Sequence, residues 1–232
     1  MSRAAMVVAG LAVGTVAGRY LLRLVWRFGV RDSRSLRVLV PSFTAVSLGV
    51  AGGIMGTTWD VLPVWALFVA LAGVTTVDLH HYRIPDGIVF PTVAVLLPLM
   101  ALISLLRDRP GSVGQAVAAA GLYGAMMSML FVFSRGNLGL GDVKLSVPVG
   151  LVLGWVGSGY GQSLMAVFLT FVLASFFGVT MGLVVWGMRK WGNEVLPDPL
   201  ADPANRRSTV FPFAPPMATA AAVITLAVPA IG

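Results

Sequence analysis

The sequence contains no cysteine, which excludes disulfides, thiolate metal sites and a cysteine nucleophile. Histidine is nearly as scarce. The two present, His80 and His81, are adjacent and would point in different directions from a helix, so they read as interfacial polar residues and no metal site is expected. Charge is sparse as well: 11% of the 232 residues are charged against 57% hydrophobic, too little to coat a water-soluble domain. With a mean hydropathy of +0.89, the chain reads as an all-α, polytopic membrane protein. The formal charge of +7 does not argue for nucleic acid, because the arginines flank apolar runs instead of forming a basic face. Membrane lipids are the expected surroundings.

Apolar runs of about 17–25 residues, the length that crosses roughly 30 Å of hydrocarbon, give about eight transmembrane helices. They fall near 4–22, 38–56, 61–77, 88–106, 113–133, 143–157, 163–188 and 210–231. The start, Met1 to Gly18, has the look of a cleavable signal peptide, but Gly10, Gly14 and Gly18 form a stripe suited to close helix packing and favour a retained first helix. The whole of 1–232 is expected to be one integral membrane domain. It has a short basic segment at 19–37, suited to anionic lipid heads, and a proline-rich flexible loop at 189–209.

Eight alternating crossings put 13 of the 16 basic residues on one side and leave Arg3, Arg107 and Arg109 on the other. The positive-inside bias then predicts that the first side is cytoplasmic. The same count, in which no acid was used, places Asp78 and Asp142 together on the cytoplasmic face.

Carboxylates beside long apolar runs are costly and mark a task. Two of them sharing one proton can hydrolyse a peptide bond without a metal or a covalent nucleophile: the ionised member takes a proton from water while the other polarises the scissile carbonyl. Asp78 and Asp142 are the candidates. Gly139 and Gly141, before Asp142, allow a tight backbone and room for a substrate strand. Pro85 is expected to end helical continuation after Asp78 and hold Ile84 to Gly87 as a turn beside the site. Lys144 is expected to snorkel to lipid phosphates in preference to tuning the acid. A plainer reading makes Asp142 an N-cap and Asp78 a solvated boundary residue.

At these residues the chain resembles the type IV prepilin peptidases, a branch of the GxGD membrane aspartyl proteases. Three segments carry the likeness: Val77-Asp78-Leu79 with Ile84-Pro85-Asp86 and Pro91, then Gly139 to Leu145, then Phe211-Pro212-Phe213-Ala214-Pro215. The resemblance implies an aspartic endopeptidase of a bacterial cytoplasmic membrane that cleaves the leader of prepilin or pseudopilin precursors at the cytoplasmic face. Asp78 and Asp142 would be catalytic, and Gly139, Gly141, Lys144 and Pro85 would support the site. Many members also methylate the new N-terminus through a cysteine-bearing segment after the first span; 19–37 has no cysteine, so neither zinc nor any other cofactor is expected. The alternative is a small cation- or proton-coupled transporter built on the same two acids.

Overall fold

The computed structural model describes residues 2–56, 59–109, 111–134, 138–191 and 212–231. These form eight helices: α1 Arg3–Arg27, α2 Arg34–Met55, α3 Val61–His81, α4 Asp86–Leu106, α5 Gly111–Phe133, α6 Leu140–Val156, α7 Tyr160–Lys190 and α8 Ala214–Ile231. Six of them (α1 to α5 and α7) are long and apolar enough to cross a membrane. The 17-residue α6 stands at the lower limit of a crossing length, and α8 is another short apolar helix. The all-helical, polytopic architecture expected from composition is what the chain adopts. Much of 189–209, read as a flexible loop, lies outside the described residues.

The helices associate first as hairpins, and glycine decides how closely. A Cβ on Gly10, Gly14 or Gly18 would stand 2.4 Å from the Leu48 carbonyl oxygen, 2.6 Å from Ala45 Cα and 2.5 Å from Pro41 Cα. The stripe therefore brings the α1 backbone flush against α2, since lipid offers no hydrophobic drive and van der Waals contact must hold the pair. The α5–α6 hairpin repeats the device. Gly150 meets Ala120 Cα and Gly154 meets Ala116 Cα, each at 2.6 Å from the position of an added Cβ.

Helix α3 is the centre of the bundle, packing against α1, α2, α4, α6 and α8. Its apolar residues are buried almost all round, including Val64, Leu67, Phe68, Leu71, Val74 and Val77. Several polar groups of this core find internal partners, as hydrocarbon favours. Trp65 Nε1 donates to the Leu48 carbonyl at 2.9 Å, and the Thr44 and Thr76 hydroxyls donate one turn back to Val40 and Ala72 at 2.7 Å.

The basic stretch at 19–37 is mostly helical. Helix α1 runs on to Arg27 and stops where Gly29 takes φ +87, a conformation natural to glycine, and α2 begins at Arg34 behind a Ser33 cap. At the opposite end of the bundle Arg107 pairs with Asp60, joining the end of α4 to the start of α3.

Candidate active site

Asp78 lies in the last turn of α3 and Asp142 in the first turn of α6, 4% and 7% exposed. Both stand at the same end of the bundle, α3 touches α6, and the charge of Asp78 is felt at Asp142. Buried carboxylates need partners. Asp78 Oδ2 has one from 136 residues away, accepting the backbone N–H of Ala214 at 3.0 Å.

That bond explains the proline-rich segment. Ala214 is the first residue of α8 and is followed by Pro215 and Pro216, which fit the first turn of a helix because its N–H groups lack helical partners anyway. Asp78 thus caps α8 through space, and the positive end of α8 favours negative charge on it. Phe213 is seated beside it against Gly178, where an added Cβ would come within 2.7 Å of the ring. Phe211, the other end of the motif, lies outside the described residues.

Helix α3 ends four residues before Pro85. Tyr82 takes the left-handed conformation at φ 52 and gives its N–H to the Asp78 carbonyl at 2.8 Å. The stop expected of Pro85 therefore belongs to Tyr82, and Pro85 instead opens α4: its carbonyl accepts from Ile88 and Val89 at 3.0 and 3.3 Å, and Asp86 and Gly87 are already helical.

Around Asp142 the glycines have separate duties. Gly139 is the N-cap of α6, with its carbonyl accepting the Asp142 N–H at 3.1 Å; a Cβ there would stand 3.2 Å from Asp142 Oδ2. Gly141 leaves no opening for a strand, because its missing side chain is replaced by Ile84, whose Cβ would be 2.7 Å from an added methyl. The α3–α4 connection is thereby pressed onto the residue preceding Asp142.

Lys144 does not reach for lipid. Its Nζ donates to both oxygens of Asp86 at 2.8 and 2.9 Å and lies 5.6 Å from the Phe90 ring centroid, tying the first turn of α6 to the first turn of α4. A partner 58 residues away offers an ammonium more than a distant phosphate does, and that contact overrides snorkelling.

Sequence reasoning placed Ile84 and Asp86 within the turn beside the site but gave neither a partner, and it did not single out the Ala214 N–H. Asp86 sits in the Ile84-Pro85-Asp86 segment and its sign opposite Lys144 was a usable signal, whereas a backbone donor carries none. Tyr123 of α5 is also new: it is wholly buried, its hydroxyl finds no partner among the described residues, and it lies within the field of Asp142. Of the two histidines, His80 Nδ1 lies 2.8 Å from the Thr76 carbonyl and His81 lies beside Gly29. Among the described residues no three His, Cys, Asp or Glu gather to hold a metal ion.

Comparison with known proteins adds one finding. No curated protein and no solved structure matches the chain. The model of the type IV leader peptidase family matches residues 65–183, just over half of the 232 residues and a stretch that includes both Asp78 and Asp142. By that match, over the helices that carry the paired acids, this chain belongs to the type IV leader peptidase family and is an aspartic endopeptidase of the membrane.

Proposed function

We propose that Asp78 and Asp142 are the catalytic pair, and that they cleave the leader from prepilin or pseudopilin precursors at the cytoplasmic face of the membrane. The observation that supports this reading is that two buried carboxylates, at the end of α3 and the start of α6, stand at one end of the helical bundle on helices that touch. The orientation rests on the basic residues that crowd that end, Arg19 to Arg37 among them. A substrate entering with a transmembrane helix presents the bond just outside the bilayer at that level.

The chemistry needs one proton on the pair. The ionised carboxylate accepts a proton from a water as its oxygen attacks the scissile carbonyl, and the protonated one donates a hydrogen bond to the developing oxyanion. Collapse of the tetrahedral intermediate breaks the C–N bond, a carboxyl group gives its proton to the leaving amine, and the leader departs with a new C-terminal carboxylate. The Ala214 N–H holds Asp78 in place through the cycle. Gly141 against Ile84 and Lys144 against Asp86 fix the α6 start that bears Asp142.

The test is conversion of a co-expressed prepilin in membranes by wild type, Asp78→Asn and Asp142→Asn. Asparagine keeps the shape and removes the proton chemistry, so each variant should insert normally and leave the precursor uncut. Cleavage surviving either substitution would sink the assignment.

A further inference from the structure

The basic end of the α1–α2 hairpin has no part in the proposed cleavage, yet it contains a groove open to the outside of the bundle. Thr15 and Arg19 of α1 and Arg37, Val38, Pro41 and Val46 of α2 line it. Its lower wall is apolar and faces outward, Val38 being 60% and Val46 57% exposed. Its upper rim is cationic. Arg19 has no hydrogen-bond or ion-pair partner among the described residues. Arg37 is engaged along one edge by Asp32, through Nε at 2.8 Å and through Nη2, which leaves Nη1. Two guanidinium groups against one carboxylate leave a local excess of positive charge, with Arg23 and Arg34 close by in sequence.

A cationic rim above an apolar wall in a helical hairpin matches one kind of molecule: an amphiphile with a phosphate head and acyl chains.

We propose that the groove between Arg19 and Arg37 binds the headgroup phosphate of an anionic phospholipid whose acyl chains lie along Val38 and Val46. The site is independent of Asp78 and Asp142, so its occupancy is read without any cleavage assay. The groove flanks the tight hairpin contact, where Gly14 and Gly18 bring the α1 backbone against Ala45 and Pro41 of α2.

The experiment is native mass spectrometry of the detergent-purified protein titrated with phosphatidylglycerol, phosphatidylcholine or inorganic phosphate. Wild type should retain one phosphatidylglycerol preferentially. R19Q/R37Q should weaken retention roughly thirtyfold, at about 1 kcal/mol for each arginine near the lipid surface, and Arg3→Gln at the opposite end of α1 should leave it unchanged. Asp32→Asn, which releases the engaged edge of Arg37, should strengthen it about threefold; it guards against loss of binding through misfolding. Equal retention of phosphatidylcholine, wild-type retention by R19Q/R37Q, or no gain with Asp32→Asn would overturn the proposal. Displacement of the lipid by inorganic phosphate would overturn it too, because it would make the site one for a soluble anion.

Discussion

Gly141→Ala is the most demanding perturbation of this site, since it adds one methyl group and touches neither acid. The backbone accepts it: Gly141 is the second residue of α6 with no positive φ, and alanine is the better helix former by about 1 kcal/mol at most. Space does not accept it. The new Cβ would stand 2.7 Å from Ile84 Cβ, 3.3 Å from Cγ1 and 3.5 Å from Cδ1, against an ordinary contact of 3.4 Å or more. Ile84 Cβ is fixed to the chain and cannot rotate away, so the start of α6 or the α3–α4 connection must move by about an ångström.

Overpacking of this kind costs about 1–3 kcal/mol, which outweighs the gain in propensity. The larger effect falls on the reaction, because a misplacement of that size beside the reacting group lowers the rate about 10²-fold. The assay is the initial rate of prepilin conversion in membranes at matched protein levels. The second-site variants make the reasoning sharp. Ile84→Ala keeps the Cβ that makes the shortest contact and should not rescue Gly141→Ala, whereas Ile84→Gly removes it and should recover most of the lost rate. Wild-type cleavage by Gly141→Ala, or equal rescue by the two Ile84 variants, would refute the steric argument.

The Lys144–Asp86 pair is 40% and 53% exposed, so Lys144→Met or Asp86→Asn should change stability by less than about 1 kcal/mol in thermal unfolding; a much larger loss would show that the pair carries the packing of α4 on α6. Gly18→Ala puts a methyl 2.5 Å from Pro41 Cα, a backbone atom that cannot yield, and should lower stability by about 1–3 kcal/mol or more in the same measurement. Orientation can be read by thiol labelling, since there is no native cysteine to remove. In intact cells an impermeant maleimide should label Ser158→Cys and spare Ser35→Cys, both exposed positions, and the reverse pattern would invert the proposed topology.

What the sequence made legible depended on range. The glycines at 10, 14 and 18 announced a packing face because four-residue spacing is a property of one helix, although nothing in it named α2 as the partner. Asp78 and Asp142 were legible as a pair because the count of crossings is additive along the chain and leaves two run ends on one side. Their immediate surroundings were not.

The bond from Ala214 to Asp78 uses a backbone N–H, a group every residue except proline possesses, so only the path of α8 selects it. That bond also alters the electrostatic asymmetry of the pair. From sequence, Asp78 follows a span and faces only the negative end of its own helix, while Asp142 has the positive end of α6. In the folded bundle Asp78 meets the positive end of α8 as well, so each acid stands at a helix N-terminus. The Phe213-Ala214-Pro215 segment, legible only as a likeness, acquires a physical role by bringing a third helix onto Asp78.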